Sequence, residues 1–256
     1  KNIKYNLKLN KIKKKIIIEN NYANIFLLTH ECCDYIDVDP FGSPNRFLEA
    51  AIQRLTNTGI LAITATDTGA LAGSFPTACL RKYWSMPLKD HDKHETGIRI
   101  LIRRAQLAAS QFDKALTPIF SYFKDHYYRV FFKCERGKAK VDKILAQHKT
   151  INDTGPLWTG LLWDKTLTAK LAKNNKEDNL QSFLDLIKEE SKINILGTLN
   201  IHILAKKYRL KTLPKSDIIL NKIKKKKHKV AISHFDPLSL RTTISEKELV
   251  RIMKKA

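Results

Sequence analysis

The sequence has 256 residues, 43% of them hydrophobic, with 47 Lys+Arg against 25 Asp+Glu and a formal net charge of +22. A chain of this length and apolar content has ample core for two domains, which excludes a disordered polyelectrolyte. It has no apolar run of the ~18 residues that a membrane span needs, and Lys1 to Leu9 lacks the apolar core and small-residue cleavage site of a signal peptide.

A positive field of this size attracts polyanions, above all nucleic acid, although Lys amid abundant Asn and Ile is also what skewed codon usage produces. The four cysteines, Cys32, Cys33, Cys79 and Cys134, form no CxxC pair. They read as reduced, mostly buried thiols of a cytoplasmic protein.

In chain order, Lys1 to Leu9 (KNIKYNLKL) reads as helix, so the chain is expected to begin inside a domain. Ile3, Leu7 and Ile12 stand among seven lysines up to Lys15. Ile16-Ile17-Ile18 is expected to be a buried strand. Tyr35 to Val38 is a second strand, which delivers Asp39 to the turn Asp39-Pro40-Phe41-Gly42-Ser43-Pro44. Phe47, Leu48, Ala51, Ile52 and Leu55 then mark a helical stripe ended by Gly59, and Ile60 to Thr66 is a third strand. Strands alternating with helices predict an α/β fold with a mainly parallel sheet.

A turn-rich stretch, Thr66 to Gly73, precedes a short helix and then a long one with the stripe Ile98, Leu101, Ile102, Ala105, Ala108 or Ala109, and Phe112. Arg99, Arg103 and Arg104 lie off that stripe, either as a solvated face or as phosphate contacts. Tyr127 to Cys134 (YYRVFFKC) is a strand whose aromatics are expected in the core. The first domain closes with Gly155 to Asp164, giving domains at 1–164 and 165–256.

The second domain is expected to have helices over 179–190 and 195–207 and a third from Leu213-Pro214, with Ile218, Ile219 and Ile223 on one face. A hairpin of Val230 to Phe235 and Arg241 to Ile244 completes a winged-helix-like α+β plan. Lys222, Lys224, Lys225, Lys226, Lys227 and Lys229 beside that wing are candidate phosphate contacts, or else a solvated helix end that favours the dipole.

The turn at Asp39 carries the chemistry. A carboxylate followed by proline and an aromatic ring suits a flat exocyclic amine: the acid and a backbone carbonyl take its N–H groups while the ring stacks on the base. That is the geometry of amino-group methylation, and the plainer reading is a turn leading into a helix, capped by Ser43. None of the nine glycines forms the GxG turn that holds a nucleotide-like donor after the first strand of such sheets. The simplest arrangement places those first strands upstream. His91, His94 and Glu95 come closest to a metal set, but HxxHE is no zincin pattern, and no metal is expected.

Six stretches in order, DVDPFGSP, TATDTGALAG, KHETGIRIL, YYRVFFKCERG, GPLWTGLLWD and SHFDPLSLRT, resemble the tRNA guanine-26 dimethyltransferase family of archaeal type, over about residues 1 to 245. The resemblance implies a Rossmann-like S-adenosylmethionine domain, incomplete at its N-terminal side, followed by a smaller α+β domain. It implies dimethylation of the exocyclic amine of a tRNA guanine; separately, the protein is expected to act as a monomer. By position, Asp39 resembles the catalytic acid, and Pro40 and Phe41 resemble the residues framing the base. Asn21-Tyr22-Ala23-Asn24 falls where the family has an Asp-Ala pair at the donor's adenine; Ala23 matches, Tyr22 departs, and Asn21 or Asn24 substitutes for the lost carboxylate. Ala139 to Thr154 offers none of the cysteines of a zinc-binding insert. With the donor glycines absent, these residues alone are expected to be inactive, which keeps open a tRNA-binding fragment without catalysis. The same turn also serves adenine and cytosine amines.

Overall fold

The computed structural model describes every residue except Lys1, Lys15, Lys211, Lys255 and Ala256. The first helix is α1 (Asn2–Leu9); Lys1, where that helix was expected to begin, lies outside the described residues. Ile16 to Ile18 do not form the expected buried strand. They lie in irregular backbone, with Ile16 and Ile17 at 46% and 65% exposure. β-branched residues favour a strand only where a neighbour completes its hydrogen-bond ladder, and among the described residues none does so here.

Next come α2 (Ala23–Thr29), β1 (Cys33–Val38), α3 (Asn45–Arg54), β2 (Leu55–Ala65), the single turn α4 (Thr68–Leu71), α5 (Pro76–Tyr83), α6 (Lys93–Ser110), β3 (Lys114–Lys124) and β4 (Tyr127–Arg136). They build a four-stranded sheet in the order β1-β2-β4-β3. Only β1 and β2 are parallel, with Tyr35 opposite Ile60 and Val38 opposite Ile63; β4 runs antiparallel to both β2 and β3. The sheet is therefore mixed, not mainly parallel. The helical crossover α3 makes the one parallel pair, whereas β3 and β4 are joined by a tight turn with Asp125 at φ 52°, which forces antiparallel pairing. Helix α3 also stops before Gly59, since Leu55 both caps it and opens β2. Its C-terminal carbonyls are capped from β3: the buried Lys114 ammonium donates to the carbonyls of Ile52 (2.6 Å) and Leu55 (2.7 Å), a cation at the negative end of the helix dipole.

The stripe predicted for α6 is buried against this sheet, Ile98, Leu101, Ile102, Ala105, Ala108 and Ala109 all at 0% exposure. Tyr128, Val130, Phe132 and Cys134 of β4 are also core.

After β4 follow α7 (Lys138–Leu145), a hairpin of β5 (His148–Ile151) and β6 (Thr154–Trp158), α8 (Lys165–Asn174) and α9 (Asp178–Glu190). Leu167, Phe183, Leu184 and Ile187 of these two helices pack on the first core. A second core, with Ile201, Leu204, Ile219, Ile223, Leu240 and Leu249, belongs to β7 (Leu199–Asn200), α10 (Ile201–Lys207), α11 (Ser216–Lys225), β8 (Val230–Ile232), β9 (Ser239–Thr242) and α12 (Glu246–Lys254). The expected hairpin gains a third strand, in the order β7-β9-β8. The helix expected from 195 starts at Ile201, because the Asn200 side chain caps it by accepting from the amides of His202 (3.0 Å) and Ile203 (2.9 Å). Ile218 faces solvent at 40% exposure, unlike Ile219 and Ile223.

A buried ionic cluster ties the second core to α6. Arg241 of β9, at 0% exposure, donates to Glu95 of α6 (2.5 Å), Glu190 of α9 (3.1 Å) and the Ile195 carbonyl (2.9 Å). Glu190 also accepts from the His234 amide at 2.8 Å. Arg99, read from the sequence as lying on an outer face, is part of this cluster. It is 4% exposed and donates to Glu95 (2.9 Å) and to the Gly160 carbonyl (2.8 Å), so it is not presented to phosphates.

Candidate active site

Asp37 near the end of strand β1 and Asp39 just beyond it have different surroundings. Asp37 is held by Arg129 of β4 at 2.8 and 2.5 Å, and it also accepts from the Tyr35 hydroxyl at 3.1 Å. Burial by itself pulls the Arg129 guanidinium down, but Asp37 outweighs it and leaves Arg129 more firmly protonated than usual. Asp39, beyond the end of the strand, is exposed, and its carboxylate makes no hydrogen bond or ion pair with any described residue.

The loop after Asp39 is fixed on its far side. The Gly42 amide donates to Thr66 Oγ1 at 2.6 Å and its carbonyl accepts from the Thr66 amide at 2.9 Å; Gly42 takes φ +83°, which favours glycine. The Tyr83 hydroxyl donates to Asp67 Oδ1 at 2.7 Å and lies 3.1 Å from Ser43 Oγ. Lys82 supplies its ammonium to Asp67 (3.1 Å) and its carbonyl to the Asn45 side-chain amide (2.7 Å). Burial, with Asp67 beside it, pushes the Tyr83 phenol far up, so it stays a donor. Between these anchors Phe41 projects at 104% exposure. A rigid frame thus presents a carboxylate and a bare aromatic ring to solvent.

Asp39 and Pro40 line a cleft of about 410 Å³ together with Ala23, Phe26, Val38 and Phe47. The structure therefore brings Ala23 to the predicted acid. Tyr22 precedes α2 at 55% exposure, and Asn21 Oδ1 accepts from the Tyr22 amide at 2.7 Å. Asn24 differs from Asn21: its amide donates to the Arg46 carbonyl (2.9 Å), while its Oδ1 is buried without a hydrogen-bond partner among the described residues.

The predicted basic residues fall into separate groups. Arg103 and Arg104 are half-buried on α6, Arg103 donating to the Trp84 carbonyl (3.3 Å) and Arg104 lying over the Trp84 ring at 4.5 Å. Lys222, Lys225 and Lys226 line a cleft of about 460 Å³ between α11 and α12, where Arg251 adds a cation that sequence reading missed. Lys226 pairs with Glu248 at 3.0 Å; Lys224, Lys225 and Lys227 are exposed, and Lys229 reaches the Lys192 carbonyl at 3.4 Å. His94 stacks on Phe123 at 3.8 Å, and burial lowers it to about 4. Among the described residues no group of three or more His, Cys, Asp or Glu is placed to hold a metal ion. Thr66, Asp67 and Tyr83, which frame the loop, were also missed as functional residues. Thr66 and Asp67 lie within the TATDTGALAG match, but a match does not say what a side chain holds.

A family model described as N2,N2-dimethylguanosine tRNA methyltransferase matches residues 1–154 and 147–254. The chain belongs to this family. Curated relatives include the tRNA (guanine(26)-N(2)/guanine(27)-N(2))-dimethyltransferase of Aquifex aeolicus, 34% identical over 99% of this chain and 73% of the relative. The tRNA (guanine(26)-N(2))-dimethyltransferase of Methanocaldococcus jannaschii is 34% identical over 96% of this chain and 71% of its own length. The solved Trm1 of Pyrococcus horikoshii, in complex with S-adenosyl-L-methionine, superposes with a TM-score of 0.89 at 26% identity, over 98% of this chain and 78% of that one. As a dimethylguanosine tRNA methyltransferase family member, the chain has a Rossmann-like α/β methyltransferase fold, and its acid-Pro-aromatic loop lies beyond the C-terminal end of a parallel strand, where such sheets bind ligands.

Proposed function

We propose that this chain is a S-adenosylmethionine-dependent tRNA (guanine(26)-N2)-dimethyltransferase in which Asp39 receives the guanine's exocyclic amine and Phe41 stacks on its ring. The observation that carries this reading is the loop itself. Its carboxylate is engaged by no described residue and its aromatic ring is fully exposed, while Thr66, Asp67 and Tyr83 hold the backbone behind them.

The cleft beside Asp39 fits the adenosyl donor at the level of chemistry. Its volume falls in the range of small-molecule sites, and Ala23, Phe26, Val38 and Phe47 give it an apolar lining beside Asp39 that suits a flat ring. When bound, the donor supplies an electrophilic methyl group.

The chain's residues prepare the amine. Its lone pair is delocalised into the purine and is a poor nucleophile. Asp39 accepts one N–H, favours rehybridisation of the nitrogen, and takes the proton released as the new C–N bond forms. Pro40 stiffens the backbone that carries the acid, and Phe41 covers a face of the base, which aligns the nitrogen and limits water. Asp37 cannot serve in this role because Arg129 already occupies both of its oxygens.

Residues 1–164 carry this chemistry, and residues 165–256 grip the tRNA through Lys222, Lys224 to Lys227 and Lys229, with Arg103 and Arg104 contributing from α6. The enzyme works without a metal, as a monomer, in the cytoplasm, a reducing compartment that suits its four free cysteines. No described helix is long and apolar enough to cross a membrane. The test is Asp39→Ala in the full-length protein, with tRNA transcripts as substrate and mass analysis of the nucleosides. Loss of dimethylguanosine with tRNA binding retained is expected. Activity within about tenfold of wild type, well inside the range expected of a general base, or a methylated adenine or cytosine, defeats the assignment.

A further inference from the structure

Trp84 is an exposed aromatic residue held in a strained and over-determined position. It ends α5 in the left-handed region, at φ 53° and ψ 44°, where a bulky side chain is disfavoured. Its neighbours hold it there. The Trp84 amide donates to the Leu80 carbonyl (2.9 Å), and buried Tyr83 is anchored on Asp67. Ser85 Oγ donates to the Pro156 carbonyl (2.8 Å), and Met86 exchanges two backbone hydrogen bonds of 2.8 Å with Gly155. From α6, Arg103 donates to the Trp84 carbonyl and Arg104 lies 4.5 Å from the ring centre. With all this the residue stays 56% exposed.

Strain kept in place by so many contacts, for a side chain left in solvent, points to use. An indole backed by a guanidinium is a pre-organised stacking surface, since its orientation is settled before any ligand arrives. The segment also adjoins the Asp39 loop, because Lys82 and Tyr83 contact Asn45 and Ser43 directly. Exposed Arg81 and Lys82 and the half-buried Arg103 and Arg104 surround it with positive charge, which favours a nucleic acid over an apolar protein surface.

We propose that Trp84, backed by Arg104, is a stacking platform for a second nucleobase of the RNA, one near the target guanine in space but not the base that is methylated. This inference rests on the tRNA-modifying function proposed above. In it, the contribution of Arg104 to tRNA binding runs through the indole that it supports.

Of the three tryptophans in these 256 residues, Trp158 and Trp163 are buried at 3% and 5% exposure, so emission that is quenched in the wild type and not in Trp84→Phe reports on Trp84. The full-length protein is titrated with an unmodified tRNA transcript while tryptophan emission is followed, and affinity is measured separately by filter binding. Saturable quenching of the red-shifted component is expected, and Trp84→Phe should abolish that quenching while keeping affinity within about threefold, since a phenyl ring still stacks. Trp84→Ala should weaken tRNA binding by about fivefold or more, the lower end of what a stacked base contributes. Arg104→Gln should weaken it by less. If the wild-type protein binds and methylates tRNA but its emission is unquenched, or if Trp84→Ala binds within twofold, the platform is refuted and the function stands. If the wild type binds no tRNA, both fall.

Discussion

Asp39 and Glu95 are acids of the same sheet-and-helix unit with opposite surroundings. Asp39 is exposed and its oxygens are engaged by no described residue. Glu95 is 2% exposed and accepts from Arg99, from Arg241 and from the Gly197 amide at 3.2 Å. A carboxylate that is to take an N–H from a substrate must keep its lone pairs unclaimed until the substrate arrives. A carboxylate that joins two parts of a fold is tolerated inside only when every lone pair is claimed, because burying a bare charge costs several kcal/mol. Here the loop that leaves Asp39 free is itself held by neutral groups and by Asp67, so the site's rigidity does not draw on Asp39.

The largest effect that would break this contrast lies at Asp39. Asp39→Ala should reduce kcat by roughly 10²–10⁴-fold, the range for a lost general base, and should leave the thermal midpoint nearly unchanged because no described residue loses a partner. A clear fall in the midpoint would mean that the acid is structural.

Arg241→Ala should show the reverse pattern. It strips a guanidinium from both Glu95 and Glu190 in a buried site, and breaking such a cluster costs about 3–5 kcal/mol of stability. Urea unfolding measures it, and a loss below about 1 kcal/mol, the scale of a surface ion pair, would show the cluster to be dispensable. The pH dependence has a definite sign. Burial alone raises the Glu95 carboxyl, but Arg241 and Arg99 outweigh it and hold it at about 2, below its ordinary 4.5. A carboxyl depressed on folding stabilises fully above its unfolded value. That contribution is lost as pH falls from about 4.5 through about 2, and Arg241→Ala should shrink this acid-dependent part.

The contrast was half legible in the sequence. The Asp39 loop is a local signal, since strand, proline, aromatic and glycine follow one another and the apolar stripe of α3 begins beyond them. The Glu95 cluster is a long-range fact: Arg241 lies 146 positions from its partner. Helical periodicity placed Arg99 off the apolar stripe but cannot reveal that Glu95 and the carbonyls of Trp158 and Gly160 claim its guanidinium inside the fold. Strand β3 was missed because Pro118 and a register shift before Phe120 interrupt its pattern. Ile16 to Ile18 misled in the other direction, being strand-like in composition but without a pairing neighbour among the described residues. The different hydrogen bonding of Asn21 and Asn24 was likewise not legible, because spacing does not encode it.

A smaller effect tests the end of α11, where charge is exposed as at Asp39 but numerous. Changing Lys224, Lys225, Lys226 and Lys227 to Ala should weaken tRNA binding on the order of tenfold and flatten the salt dependence by up to ~0.9 in log–log slope for each phosphate contact removed. Lys226, already paired with Glu248, should contribute least. The loss should not depend on the base at the target position, since phosphate contacts position without specifying. Unchanged affinity and slope would reduce this run to a solvated helix end and leave tRNA binding to the Asp39 side.

The smallest expected effect bears most directly on how the site is framed. Tyr83→Phe removes the hydroxyl that reaches Asp67 and Ser43, leaving Lys82 as the remaining partner of Asp67. One lost buried hydrogen bond costs about 1 kcal/mol. Because it lies behind the Asp39 loop, the variant should also lose a few-fold in kcat with little change in KM for tRNA. Tyr128 is an equally buried tyrosine whose hydroxyl meets His94 at 3.1 Å instead of the loop. Tyr128→Phe should therefore cost similar stability and leave kcat alone. If the two variants lower kcat equally, the loss follows general destabilisation, and the loop does not depend on Tyr83 to hold Asp39 and Phe41 in place.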